Sequence, residues 1–329
     1  MSEPTAKYAA AASDLPLEGV PKCPVCGAAD TVPLITTLPH MYHDRSLRFS
    51  FSHCPHCDTG FLNPRVAPEG LDAFYPAYYL PYRGPQAWGR YAGFVAASQR
   101  KVDRERVRLS RRYGPSRAAA QPQKPTVLDV GCGKPTFLEM LYKRTGWQGT
   151  GIDFKDEGWR EQAFPSLELI EGDVQQMHFE RPFDLATMWH YLEHDYAPHR
   201  TLQAVHRSLK PGGRLIVEVP DYHSLTARWQ KACWEGWHAP RHTLLYSKSS
   251  FQHLLEQNGF RMVAHHRYGT LDAFTLWWMG EMERKHIDWR QSMEAEFWPL
   301  VARKMLTAPL FALERWLPLG LQTLVAEAV

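Results

Sequence analysis

Four of the six cysteines fall in two Cys-x-x-Cys pairs, Cys23/Cys26 in KCPVCG and Cys54/Cys57 in HCPHCD. Each such turn aims two sulfurs at one centre, and two turns supply the four tetrahedral thiolates that zinc prefers. Strand-like segments at 31–37 and 47–52 lie between the pairs, and His53 and His56 stand beside the second as spare nitrogen ligands. A module of this size buries little apolar surface, so a bound metal is expected to hold it together. Redox dithiols and an iron–sulfur centre are the competing uses of this spacing. Cys132 and Cys233 stand outside the pattern, and their side chains read as structural.

A second concentration of chemistry is the turn Asp129-Val130-Gly131-Cys132-Gly133, which follows an apolar run. Gly131 and Gly133 let the backbone approach a ligand closely. A dinucleotide fingerprint would need a third glycine at position 136, where Thr136 stands. Asp129 would repel a pyrophosphate and suits a cationic ligand, such as the sulfonium and amino groups of S-adenosylmethionine. Asp153 ends the next apolar segment, where it can accept hydrogen bonds from ribose hydroxyls, and Asp173 follows the third, within reach of an adenine amino group. Two histidine groups come later: His190-Tyr191-Leu192-Glu193-His194, and His238, Arg241 and His242 beside Tyr246. Histidine titrates near neutral pH and is the natural proton acceptor among these groups.

The elements that must position these residues alternate. From Thr126 an apolar strand, a glycine-rich turn and an amphipathic helix are followed by WQGTGIDF, LELIEGD and FDLATMWH as strands. A helix over 197–209, RLIVEVP as a strand, a helix over 249–258 and FRMVAHHRY as a strand complete the pattern. Such alternation predicts a doubly wound parallel sheet, whose ligands bind at the strand carboxyl ends. Residues 271–320 read as helical and carry Trp277, Trp278, Trp289, Trp298 and Trp316; LQTLVAEAV then reads as a last, antiparallel strand. The expected division is a disordered tail over 1–20, a zinc-binding module over 21–62, a tyrosine-rich segment and basic helix over 63–120, a core over 121–270, a helical insertion over 271–320 and the last core strand over 321–329.

In order, V-L-D-V-G-C-G, I-D-F, E-G-D-V, FDLATMWHYLEH and LKPGGRLIVEVP resemble the motifs of class I S-adenosylmethionine-dependent methyltransferases over 126–266, nearly half the chain. The resemblance implies an α/β, Rossmann-like, doubly wound sheet with an N-terminal zinc ribbon and a helical insertion before the last strand. It implies S-adenosylmethionine held by Asp129, Gly131, Cys132, Gly133, Asp153, Phe154, Asp173, Val174 and Trp189. One departure is Pro135 where a third glycine is common; that position opens a helix, where proline is tolerated. With the zinc pairs and the segment PRVAPEGLDAFYPAYYLPY in front, the chain resembles sugar C-methyltransferases of deoxysugar biosynthesis and related bacterial small-molecule and cell-envelope methyltransferases.

This closer resemblance implies a tyrosine over cofactor and substrate, from the segment with Tyr75, Tyr78, Tyr79 and Tyr82. His190 and His194 follow the fourth strand, whose end faces the ligand, and His242 follows the fifth, so each is a candidate for proton transfer, as is Tyr79; His238 and Arg241 gather beside His242 as candidate substrate contacts. His242 matches the second histidine of the sugar enzymes' pair, whereas Pro240 replaces the first and Arg241 the acidic residue between them. An arginine there suits a carboxylate or phosphate instead.

The net charge of +3 is too small for a nucleic-acid partner. The basic run over 100–117 is a solvated helix face or a site for phosphate or anionic lipid. The first twenty residues lack a secretory pattern, and the apolar stretch over 316–326 is too short to span a bilayer, so a cytoplasmic protein is expected. The partner expected is a small-molecule acceptor, sugar-like or another biosynthetic intermediate. The aromatic insertion reads either as a lid and homodimer surface or as an interfacial helix on the inner face of a membrane, serving a lipid, quinone or polyisoprenoid acceptor. A non-catalytic scaffold on the same core is the reading outside enzymology.

Overall fold

A computed structural model describes residues 15–115 and 124–329. The tail expected over 1–20 lies outside these residues as far as 14. Beyond it Leu17–Glu18 (β1) is ordered by antiparallel pairing with Arg65–Val66. Val32–Thr37 (β2), Phe49–Cys54 (β3), Thr59–Leu62 (β4) and Arg65–Val66 (β5) come next, then Leu80–Arg83 (α1) and Ala92–Tyr113 (α2). The larger sheet begins with Thr126–Val130 (β6), Thr136–Thr145 (α3), Gln148–Asp153 (β7), Leu167–Glu171 (β8), Phe183–Trp189 (β9), Pro198–Ser208 (α4) and Leu209–Pro220 (β10). Leu225–Gln230 (α5), Leu244–Tyr246 (β11), Lys248–Gln257 (α6), Phe260–His266 (β12), Ala273–Arg284 (α7), Phe297–Phe311 (α8) and Leu321–Ala328 (β13) follow.

The seven-stranded sheet has the order β12-β13-β10-β9-β6-β7-β8. β13 is antiparallel to both neighbours and the remaining pairs are parallel, which is the doubly wound sheet with an antiparallel last strand that the motif order predicts. Strands covered on both faces must be apolar along their length. β6 and β9 meet this: Val127, Leu128, Leu185, Ala186 and Met188 are at most 1% exposed. The chain runs outward from β6 to β8 and then returns, so that β9 pairs with the other side of β6. That reversal opens a crevice at the carboxyl ends of β6 and β9, where the glycine turn and the first histidine group emerge.

The cysteine-bearing strands form a second sheet of order β11-β4-β3-β2. Its β11 comes from the loop after β10, with Leu244 opposite Phe61 and Tyr246 opposite Thr59. The ribbon therefore completes its sheet with a strand from the core. An unpaired edge on β4 would leave backbone donors without partners, and β11 covers it with fully buried Leu245 and Tyr246.

Helix α2 buries Asp103, Val107 and Ser110, at helical spacing, and presents Arg100, Lys101, Arg104, Arg108, Arg111 and Arg112 to solvent. The insertion divides its tryptophans. Trp277, Trp278 and Trp289 are buried with Trp88, Tyr79 and Phe297, whereas Trp298 and Trp316 are 63% and 69% exposed. No helix among the described residues is long and apolar enough to cross a membrane.

Candidate active site

Gly131 (φ 72°) and Gly133 (φ 47°) adopt the left-handed backbone that favours glycine. A Cβ at Gly131 would lie 2.4 Å from the Tyr191 ring, so this glycine is also demanded by close approach. The Gly133 amide donates to Asp153 Oδ2 at 2.8 Å, which holds the carboxylate of β7 against the turn. Burial raises the Asp153 pKa, and the amides of Gly133, Lys155 and Phe154 oppose that rise. Phe154 is 57% exposed and its ring lies parallel to Tyr191 at 6.4 Å, which leaves a flat apolar face at the crevice. Asp173 caps the turn Val174–Gln176 by accepting from the Gln175 amide at 2.9 Å, with Val174 buried beneath.

Three residues of the expected cofactor set sit below the crevice surface. Asp129 is 3% exposed, accepts from Thr187 Oγ1 at 2.6 Å, and is lifted by burial to a pKa of about 7. Its carboxylate is thus held within the core by Thr187, its partner on the neighbouring strand β9. Cys132 is buried against Gly151, and burial raises its thiol pKa. Trp189 packs edge-on to Phe137 beneath the Arg106 guanidinium, 5.1 Å away.

The histidines divide by their partners. His190 has its Nδ1 3.3 Å from Glu193 Oε1 and its Nε2 3.0 Å from Glu218 Oε1. Burial disfavours its charge, but the two carboxylates outweigh burial and raise its pKa to about 9. The two carboxylates thus favour the imidazolium form of His190. Glu218 is fully buried and also accepts from the Thr270 amide (2.5 Å) and hydroxyl (3.0 Å). Sequence reasoning passed over Glu218; its signal was an acidic residue inside the apolar strand RLIVEVP.

His194 and His242 each present Nδ1 to a backbone carbonyl. His194 Nδ1 lies 3.1 Å from the Arg241 carbonyl and His242 Nδ1 2.8 Å from the Gly236 carbonyl. A carbonyl only accepts, so each Nδ1 carries the proton and each Nε2 keeps its lone pair. Burial lowers both pKa values, that of His242 well below the usual histidine value. The two rings meet edge to face at 4.5 Å. Beside them Glu193 is fully buried, and neither carboxylate oxygen has a hydrogen-bond partner among the described residues.

The tyrosine segment closes over this group. Tyr75 Oη lies 3.4 Å from His194 Nδ1, and Tyr79 donates to His238 Nε2 at 2.8 Å. His238 Nδ1 donates in turn to Glu235 at 2.5 Å. Arg241 is fully buried: Nε donates to His238 at 2.7 Å, Nη1 to the Phe74 carbonyl and Nη2 to the His40 carbonyl, and the guanidinium lies 4.6 Å over the Tyr79 ring. Each guanidinium nitrogen of Arg241 thus already donates to a partner within the protein. His238 is likewise enclosed. Tyr78 turns away to bond His43 Nδ1 at 2.8 Å beside a separate hollow of about 150 Å³, so the structure does not bring it to the histidine group.

At the ribbon, Cys23 Sγ–Cys57 Sγ and Cys26 Sγ–Cys54 Sγ are each 3.5 Å apart, and all four sulfurs lie within 4.8 Å of one another. These separations exceed a disulfide's ~2.05 Å and approach the edge of about 3.8 Å of a tetrahedron built on Zn–S bonds of ~2.3 Å. His53 and His56 turn instead to Asp58 (3.0 Å) and Asp30 (2.5 Å).

Residues 97–265, just over half of the chain, match the family described as a methyltransferase domain. A 2-phytyl-1,4-naphtoquinone methyltransferase of Nostoc punctiforme is 32% identical over 109 residues, 30% of this chain and 46% of that protein. A ubiquinone biosynthesis O-methyltransferase of Pseudomonas paraeruginosa is 37% identical over 105 residues, 29% of this chain and 44% of that protein. The matches thus span less than half the length of these curated relatives. Among solved structures, the 1,6-didemethyltoxoflavin-N1-methyltransferase of Burkholderia thailandensis aligns over 89% of this chain and all of that one, at 16% identity and a TM-score of 0.46.

The His190 ion pairs yield a test. Its pKa rises from 6.5 to about 9 on folding, so the stabilisation is complete below 6.5 and is lost as pH rises through about 9. Denaturant midpoints should therefore fall across that window, and His190→Gln should flatten the fall. An identical slope in the variant would show that His190 is uncharged in the fold.

Proposed function

This chain belongs to the methyltransferase domain family, and from that we propose that it transfers a methyl group from S-adenosylmethionine to a small-molecule acceptor. One observation carries the reading: where the strand order reverses, a glycine turn, a carboxylate and an exposed aromatic ring stand together, and the chain beyond β9 sets His194 edge-on to His242 with both Nδ1 atoms on backbone carbonyls. S-adenosylmethionine supplies a methyl group on a positively charged sulfur. Asp153 accepts from the ribose hydroxyls, Phe154 and Tyr191 stack on the adenine, and Asp173 meets its amino group. Gly131 and Gly133 keep the turn free of side chains. Asp129, Cys132, Val174 and Trp189 shape the floor below.

On the acceptor's side, His194 and His242 activate the nucleophile. Burial lowers both pKa values, which favours the ring that keeps a lone pair, and it holds the rings in a fixed orientation. Tyr75 and Tyr79 wall the acceptor in. The internal Tyr79–His238–Glu235 chain keeps the phenol oriented.

A second reading concerns where the acceptor resides. Trp298, Met305, Leu306 and Trp316 expose 63%, 74%, 81% and 69% of their surface, and Arg303, Lys304 and Arg315 alternate with them in sequence. An apolar stripe with interleaved cations suits an anionic bilayer surface, and the relatives named for quinone substrates support a lipid-borne acceptor over a sugar-like one. The same stripe serves a homodimer if lipid does not cover it. For the ribbon we propose a structural zinc held by Cys23, Cys26, Cys54 and Cys57, because the four sulfurs fit its tetrahedron.

Three outcomes are expected. Asp153→Ala should weaken S-adenosylmethionine binding by about tenfold to a hundredfold in calorimetry, while His242→Ala should spare that affinity and lower turnover about a hundredfold. Wild-type protein that binds no S-adenosylmethionine would end the reading. Elemental analysis should find zinc lost in Cys54→Ser together with a lower melting temperature; unchanged stability without metal would refute the structural zinc. The protein should float with anionic liposomes and be released by salt, and an absence of flotation at low salt would leave the stripe to a homodimer.

A further inference from the structure

Glu193, His194 and His242 each offer a ligand atom within 4.8 Å of the other two. Three features of this group are unusual for side chains that merely pack. The Glu193 carboxylate is fully buried, yet neither oxygen accepts a hydrogen bond among the described residues. A carboxylate removed from water without partners is strongly disfavoured, and a cation is its ordinary compensation. His190 lies 3.3 Å from one oxygen but outside hydrogen-bonding geometry, and it shares its charge with Glu218.

The second feature is tautomeric. His194 donates through Nδ1 to the Arg241 carbonyl and His242 through Nδ1 to the Gly236 carbonyl, so both rings are locked with a bare Nε2. Neither Nε2 makes a hydrogen bond among the described residues. A backbone carbonyl on one ring nitrogen is the usual device that orients a metal-binding imidazole. The third is spacing. Glu193 Oε1 lies 4.0 Å from His242 Nε2, and ligand bonds of ~2.1 Å at a tetrahedral angle set neighbours about 3.4 Å apart. Side-chain movement of well under an ångström closes that gap.

We infer that Glu193, His194 and His242 form a second metal site, which binds a divalent first-row transition ion beside the acceptor. Two imidazoles and one carboxylate favour zinc, iron(II), manganese or cobalt over magnesium, which prefers oxygen ligands and retained water. Three protein ligands leave positions open to an oxygen of the acceptor. This rests on the methyltransferase reading and deepens it: His194 and His242 activate the acceptor through the ion they hold. Coordination of a hydroxyl or enol lowers its pKa, so that its proton passes to water. The oxygen, or the carbon conjugated to it, then bonds the methyl carbon as the carbon–sulfur bond breaks, its electron pair returns to sulfur, and the sulfonium charge is neutralised. The metal is neither oxidised nor reduced.

Cobalt(II) is the probe, added to the full chain with metal already in its cysteine ribbon. Wild-type protein should bind one cobalt per chain with d–d absorption and no thiolate charge-transfer band. Glu193→Gln and His242→Gln should each weaken that binding on the order of a hundredfold, with folding followed by circular dichroism and S-adenosylmethionine affinity measured on every variant. Wild-type protein that takes up no cobalt, or takes it up only with the thiolate band of ribbon exchange, overturns the site without needing any variant. Undiminished uptake by a folded Glu193→Gln or His242→Gln overturns it too. Normal S-adenosylmethionine binding without cobalt uptake ends the metal inference alone, whereas loss of S-adenosylmethionine binding in wild-type protein ends the methyltransferase reading.

Discussion

A guanidinium without water must have its donors satisfied by the protein, and Arg241 meets that demand by drawing three distant segments together. It bonds the carbonyls of His40, beyond β2, and Phe74, in the tyrosine segment, along with the His238 ring in its own loop. It lies over the Tyr79 ring, where the π face offers further compensation for its charge. The loop after β10, the ribbon and the tyrosine segment are thereby set against one another around the Arg241 side chain. Arg241 also lends its own carbonyl to His194, so one residue both joins these segments and sets a histidine's tautomer.

Five histidines share this neighbourhood, and their chemistry differs because their partners differ. His190 lies between the carboxylates of Glu193 and Glu218, which raise its pKa to about 9. His194 and His242 face carbonyls, and burial lowers their pKa values. His238 Nε2 accepts from Arg241 with the Tyr79 hydroxyl beside it, and its Nδ1 meets Glu235. His40 is fully enclosed, and burial lowers its pKa to about 4. The fold thus gives neighbouring imidazoles opposite shifts in proton affinity through the choice of partner and the exclusion of water.

The ribbon is tied to the catalytic half by backbone as well as side chains. Because β11 completes the ribbon sheet, the segment that carries His238 and His242 runs directly into a strand of the cysteine ribbon. Order at the cysteines is therefore coupled to the position of these two histidines. At the other end, the buried tryptophans of the insertion pack on Trp88 and Tyr79, which seats α7 and α8 against the tyrosine segment and leaves the Trp298–Trp316 side outward.

Much of the fold was legible from local pattern. The paired cysteines, the Asp129–Gly133 turn, the alternation of strand and helix, and the antiparallel last strand all express themselves in spacing over a few residues, and the sheet order follows from the handedness and reversal that such alternation imposes. The chemistry of the site was not legible in the same way. That Arg241 braces backbone carbonyls, that Tyr78 turns outward while Tyr79 turns in, that Asp129 is buried against Thr187, and that His190 meets carboxylates while His194 and His242 meet carbonyls depend on partners beyond the reach of local pattern, such as Arg241 with His40 or Tyr79 with His238. Periodicity reports which face of an element is apolar. It carries no record of which acceptor a buried donor will meet, and in a space without water that meeting alone determines where each proton resides.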